Sequence, residues 1–437
     1  MFAMKGSAER QHRVETEIDG GVRPPSAEGG APNPSPFRQG RVNSVDLLRG
    51  IVMVIMLLDH TRDFVHADGL RFDAAGITRT WPALFLTRWI THFCAPIFVF
   101  LAGTGVYLQL LRGKPKTELT RFLLTRGLWL IVLEFTLVRL GVFFTLDYRS
   151  LLGFMQVIWV IGVSMIVLAG LIHLPLRTIA WIGIGLILTH NLLDEFRVDG
   201  WRGPGTPTPG FGASLWLILH QGGLFFPFGF PGPGMIALYP LIPWIGVMAA
   251  SYVFGSVYTR EPGNRRRWLL RTGTALTLGF IVLRAVNFYG DPEHWAVQSS
   301  GVMTVLSFLD TTKYPPSLLF LLMTLGPALI FLGLFDDAGA SRVARPLITF
   351  GRVPMFFYLL QWPVAHGFGV LASIAAGKPY AHLIGSPLGN APPAPDAGFN
   401  LATVYFFWIL GTLLLYPLCR WYAGLKATRR YRWLSYL

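Results

Sequence analysis

Cysteine is almost absent: Cys94 and Cys419 are the only two in 437 residues, and neither stands in a zinc-ligand spacing, so no metal site is expected. The apolar blocks described below put them near opposite membrane faces, so no disulfide between them is expected either. Charge is scarce as well, at 14% of residues against 52% hydrophobic, and acids are the scarcer sign, with 23 Asp and Glu against 37 Lys and Arg. A formal charge of +14 would suggest nucleic acid in a soluble protein. Here the basic residues sit in short segments between apolar blocks, which is a topology signal and gives no reason to expect a nucleic-acid partner. Residues 1–40 mix Glu, Asp, Arg, Pro and Gly without the hydrophobic core of a signal peptide, and read as a disordered cytoplasmic tail. No long internal repeat is evident.

What the chain has in abundance is long apolar runs. They fall near 46–66, 89–111, 127–145, 151–172, 177–193, 235–257, 272–290, 315–335, 352–375 and 401–423, and blocks of this length can cross a bilayer. The expected fold is all-α, a polytopic integral membrane protein with about ten transmembrane helices in one bundle within the lipid bilayer of an inner membrane. The segment 212–228, ASLWLILHQGGLFFPFG, is short and broken by Gly and Pro, and reads as an interfacial or re-entrant piece. With the N-terminus inside, the inner segments hold about three times as many Lys and Arg as the outer ones, which places both termini in the cytoplasm. Arg265 to Arg267 then form a cytoplasmic anchor. The Pro- and Gly-rich stretches 200–212, 227–234 and 385–398 become external loops able to shape an entrance.

The first apolar block is bracketed by charge: RVNSVDLLRGIVMVIMLLDHTRD, residues 41–63, carries Asp46 and Arg49 before the run and Asp59, His60, Arg62 and Asp63 after it. Arg49 and His60 are eleven steps apart, three helical turns plus about 20°, so they share one face roughly 16 Å apart along the axis. Each charge in a membrane span costs roughly 2.5–3.5 kcal/mol, so the stripe should face a protein interior or a watery cavity. The orientation sets Arg49 toward the cytoplasm and His60 in the outer half. His92, in RWITHFCAPIFVFLAGTG, should return to the depth of His60, and Lys313, Tyr314, Asp310 and His366 should join that layer. Pro315 or Pro316 suits the first position of the eighth helix, Ser44 suits a cap on the first, and Arg352 with Gly351 should open the ninth. Glu134 and Arg139 are further intramembrane charges, with Arg284 a candidate partner for Glu134. Gly103 and Gly105 favour close helix packing; no strand precedes them, so a dinucleotide fingerprint is not supported.

The pattern of Arg49, ten residues and His60 resembles the signature of the transmembrane acyltransferase superfamily, which includes acyltransferase family 3. SVDLLRGIVMVIMLLDHTRDF, RWITHFCAPIFVFLAGTG, YPLIPWIGVM, KYPPSLLFLLMTLGPAL and FGRVPMFFYLL are more closely similar to a bacterial family related to the catalytic domain of heparan-alpha-glucosaminide N-acetyltransferase. The similarity runs from about residue 41 to the end, which makes 41–437 one acyltransferase-like domain. The resemblance implies a helical bundle that takes an acyl group, usually acetyl, from acetyl-CoA or another acyl-CoA on the cytoplasmic side. It passes the group to a hydroxyl or amine, often of a sugar or glycan, outside. His60 matches the family's essential histidine and Arg49 its partner. Where relatives are expected to read YLLH, this chain has YLLQ, with Gln361 in place of a histidine.

On this reading His60 acts as general base or carries the acyl group, with Asp59 and Asp63 nearby to orient it. His92 and Lys313 could polarise the thioester carbonyl or bridge helices. Arg49 and Arg352 could meet coenzyme A phosphate or anchor the inner face. The alternative class is a proton-coupled transporter or permease, since intramembrane Asp, His and Arg also mark transport pathways.

Overall fold

Prolines and small residues decide where this chain's helices start, break and cross. The computed structural model describes residues 42–69, 75–336, 341–342, 344–385, 388 and 392–429, and the expected tail at 1–40 lies outside them. Helix α1, Asn43–Val65, holds the charged stretch. Helix α2, Pro82–Thr91, opens on a proline whose missing N–H is not needed at that position. It breaks before α3, Cys94–Leu111, because Pro96 has no N–H to give the carbonyl of His92, four residues back. The break leaves His92 at a corner inside the protein.

Helix α4, Lys116–Leu133, passes through a π-helical turn at Glu134–Val138 into α5, Arg139–Phe143. After strand β1, Leu151–Met155, come α6, Val157–Leu171, α7, Leu176–Thr189, and the short α8, Phe211–Trp216. Strands β2, Gly223–Phe225, and β3, Gly234–Ala237, lead to α9, Leu241–Phe254, α10, Pro262–Val286, α11, Gly301–Leu309, and α12, Leu318–Leu334. The chain ends on α13, Ala344–Arg352, α14, Pro354–Ala375, and α15, Leu401–Thr428. Among the described residues, six helical stretches are long and apolar enough to cross a membrane: Pro82–Leu111, Leu176–Leu193, Leu241–Thr259, Pro262–Val286, Pro354–Ala375 and Leu401–Thr428. Helices α6 and α12 are apolar but shorter, and α1 carries its charges.

The tightest crossing is between α1 and α13. A Cβ on Gly50 would lie 1.8 Å from the Leu347 carbonyl oxygen, and one on Gly351 would lie 1.8 Å from that of Asp46. Only glycine at both positions lets the two backbones meet. That contact fixes Arg49, next in sequence to Gly50, against the end of α13.

Several local expectations change. The fold is mostly helical but not all-α: β1, β3 and β2 form a three-stranded sheet, with β1 and β3 parallel and β2 and β3 antiparallel. The apolar block at 151–172 is therefore strand followed by helix. Its first residues alternate between buried and half-buried, the period of a strand, which an apolar run conceals. The piece at 212–228 folds as α8, a π-helical turn and β2. Leu318, not a proline, takes the first position of α12, and Ser317 caps it: its hydroxyl accepts the Phe320 N–H at 3.0 Å. Ser44 is buried inside α1 and caps nothing. Gly351 and Arg352 end α13, and α14 begins at Pro354, because a proline at 354 cannot continue the preceding helix.

Candidate functional site

Asp59, near the end of α1, receives Arg88 of α2 through one guanidinium nitrogen at 2.9 and 2.7 Å, and Arg62 approaches it at 3.2 Å. Arg62 also bonds Asp63. His60 is buried between these charges and α14, where its ring stacks on Trp362 with centroids 3.6 Å apart and planes 20° apart. Its Nδ1 is buried without a hydrogen-bond partner among the described residues. Asp59, expected to orient His60, instead serves the two arginines. Asp63 lines a separate small crevice with His66 and His382.

Lys313, on the loop before α12, is buried and exerts its charge on Asp59, His60 and His92. The histidine at the α2–α3 corner, His92, lies over Phe320 with ring centroids 5.5 Å apart and has a buried Nδ1 unpartnered among the described residues. Three cations, Arg62, Arg88 and Lys313, thus gather around the two carboxylates of Asp59 and Asp63, leaving an excess of positive charge beside His60. In a water-poor interior such an excess favours a negative charge developing at a reacting oxygen. Tyr314 approaches Tyr239 at 3.5 Å between hydroxyls. His366 lies apart from this group, stacked between Phe64 and Phe144 with its Nδ1 on the Gly141 carbonyl. Asp310 offers its carbonyl to Arg284.

The pairing expected of Glu134 with Arg284 does not occur. The Glu134 carboxylate accepts the Trp159 N–H at 3.0 Å at the first turn of α6, filling a donor the helix leaves open. Arg284 binds the carbonyls of Phe308, Glu293, Ser307 and Asp310 and ties α10 to the loops around α11. Arg139 likewise holds the Thr145, Asp147 and Leu151 carbonyls.

At the other end of α1, Arg49 donates to Asp46 at 3.2 Å and to the Gly351 carbonyl at 3.1 Å. It lines a cavity of about 300 Å³ between α1, α3, α4, α6 and α14. Arg126 and Gln109 share its polar part; Met53, Phe98, Leu101 and Tyr358 belong to its apolar walls. Tyr358 meets Trp362 edge-on at 6.2 Å between centroids, and Trp362 stacks on His60. Arg352 lines a different cleft, 4.0 Å from Asp46. Among the described residues no three His, Cys, Asp or Glu side chains gather as metal ligands.

Three participants escape a reading of sequence. Arg88 looks there like one more loop cation, although its spacing of four from His92 on one helical face is a usable signal. Trp362 looks like core. Gln361 stands out only as a departure from the family pattern, yet it is fully buried with both amide atoms unpartnered among the described residues, one turn beyond Tyr358.

Comparison with protein families adds one match: the model for heparan-alpha-glucosaminide N-acetyltransferase, catalytic, covers residues 41–289. It takes in α1 to α10, including Arg49, the Asp59–Arg88 pair, His60 and His92, and stops before Lys313. No curated protein matches the chain.

Proposed function

The chain belongs to the family of the heparan-alpha-glucosaminide N-acetyltransferase catalytic domain, and on that premise we propose that it is a membrane-embedded acetyltransferase. It moves an acyl group, acetyl in the first instance, from cytoplasmic acyl-CoA to a hydroxyl or amine, of a sugar or glycan, at the outer face. The observation that carries this reading is the run of ring contacts from Tyr358, which lines the Arg49 cavity, through Trp362 to His60.

The donor's phosphates meet Arg49 and Arg126 at the cavity's polar end, and its pantetheine arm lies along the apolar walls toward His60. His60 takes the proton of the acceptor hydroxyl or amine as that oxygen or nitrogen attacks the thioester carbonyl carbon. The tetrahedral oxyanion forms beside Arg62, Arg88 and Lys313, with His92 as a further donor. Collapse breaks the carbon–sulfur bond, and the thiolate recovers the proton from the imidazolium. Asp59 keeps the arginines in place, and Asp63 stands at the acceptor's entrance. Arg352, on its separate cleft, has no part in this donor path. The ten-helix arrangement, with both termini cytoplasmic in an inner membrane, is proposed with it.

The test is a vesicle assay with labelled acetyl-CoA on the side of the termini and glycan acceptors on the other. Labelled acceptor is expected, with a loss of roughly 10²–10⁴-fold in His60→Ala. Movement of unmodified acceptor without coenzyme A would replace the proposal by the permease reading. Trapping of labelled acyl on the protein, absent in His60→Ala, would make His60 the carrier.

A further inference from the structure

Arg345, Thr349 and Arg352 of α13, with Arg342 just before the helix, look across a cleft of about 500 Å³ at Tyr416 and Arg420 of α15. The spacings of four and three residues put Arg345, Thr349 and Arg352 on one stripe of α13, and the spacing of four puts Tyr416 and Arg420 on one stripe of α15. Phe350 and Tyr416, with centroids 5.8 Å apart, hold the two helices together beside it. Among the described residues the cleft is lined by four guanidinium groups and no carboxylate. The side chains of Arg342, Arg345 and Arg420 make no hydrogen bond or ion pair among the described residues; only Arg352 has an acid near, Asp46 at 4.0 Å. Four arginines around one cleft, with no carboxylate among the described residues that line it, suit an anion that several of them can share.

The surroundings indicate which anion. Along α15 the outward side chains Phe406, Ile409 and Leu413 are exposed and apolar, and the belt ends at Arg420 and the exposed Trp421. Trp at such a boundary marks the level of lipid headgroups. Arginine forks suit the paired oxygens of phosphate, and basic pockets between membrane helices take phosphate-bearing headgroups. We propose that the cleft between α13 and α15 is a phosphate-binding site, filled by the headgroup of an anionic phospholipid whose chains lie along the apolar face of α15. This site is independent of the donor cavity and of the acetyl-transfer reading, because the two cavities share no lining residue.

The experiment uses the full chain in phosphatidylcholine bilayers containing a small fraction of spin-labelled phosphatidylglycerol, with the immobilised lipid measured by electron spin resonance. Wild-type protein should hold phosphatidylglycerol in preference to phosphatidylcholine. Arg345→Ala with Arg420→Ala should cut that preference roughly 25-fold, since each arginine near an anionic surface contributes about a factor of five. The Arg345→Lys, Arg420→Lys protein keeps the charge without the fork and should fall between, which separates loss of binding from loss of fold. A second arm measures labelled inorganic phosphate on the same three proteins in neutral lipid. Arginine-dependent phosphate binding without lipid preference keeps the site and makes its source a free phosphate. Equal retention of both lipids together with phosphate binding indifferent to the substitutions overturns the proposal.

Discussion

His60 and Trp362 lie face to face, with ring centroids 3.6 Å apart, across the junction of α1 and α14. The stack sets the plane of the imidazole, a task that Asp59 does not perform because both of its oxygens serve Arg88. Trp362→Ala should therefore lower kcat about 3- to 10-fold or more, as expected for losing a ring contact of about 0.5–1.5 kcal/mol together with the orientation it imposes. Trp362→Phe should recover much of it. Steady-state transfer rates on protein of matched thermal stability decide this, and equal rates in all three proteins would remove the positioning role.

Asp59 and Arg88 form a buried pair, and removing one partner strands the other. Arg88→Met should destabilise the protein by about 3–5 kcal/mol, and Asp59→Asn by a similar amount. The double variant Asp59→Asn, Arg88→Met should be less destabilised than the sum. Thermal unfolding in detergent provides the comparison; additive losses would mean that the two side chains do not depend on each other.

Gln361 is fully buried with neither amide atom bonded to a described residue. Leaving such a group unsatisfied costs about 1–3 kcal/mol, so Gln361→Leu should raise the melting temperature. If its amide meets the substrate that passes Tyr358 toward His60, the same change should raise KM. A variant that is both more stable and fully active would assign Gln361 no part in the site.

Gly50 and Gly351 admit no side chain where α1 crosses α13, since an added Cβ would fall 1.8 Å from a carbonyl oxygen. Gly50→Ala should cost at least the roughly 1–3 kcal/mol of an overpacked core and should displace Arg49 from the donor cavity. Yield and melting temperature report the first effect, and KM for acyl-CoA reports the second. Gly279→Ala, on α10 with open space beside it and away from the donor cavity, is the control.

Asp194, in the loop after α7, accepts bonds from His220 at 3.0 Å and Asn191 at 2.7 Å. Burial pushes its carboxyl up, and those bonds more than reverse the effect, holding it below the usual carboxylate range. The tie should be fully present above the ordinary aspartate value of about 3.9 and lost as pH falls through the lower folded value. Acid melts of wild type and Asp194→Asn should converge below that range and differ by about 1 kcal/mol at neutral pH, the usual net worth of one hydrogen bond. A difference that persists into strong acid would contradict the carboxylate's role.

Much of the fold is legible in the order of residues alone. Long apolar runs cannot be hidden, and each of the ten blocks contains helix, because hydrophobic length is a local property of the chain. The family is legible too, since the motifs around Arg49 and His60 are contiguous in sequence. The small sheet is not, because β1 and β3 are far apart in the chain and pair only after folding.

The site divides in the same way. By itself the sequence determined that α1 carries Arg49 and His60 on one helical face, because a spacing of eleven residues fixes that wherever a helix forms. Only the tertiary structure decided that Arg88 takes Asp59, that Trp362 sets His60, and that Arg49 and Arg352 line separate cavities on either side of Asp46. Those relationships join residues from different helices, and their partners are chosen by packing and burial, which no local pattern encodes.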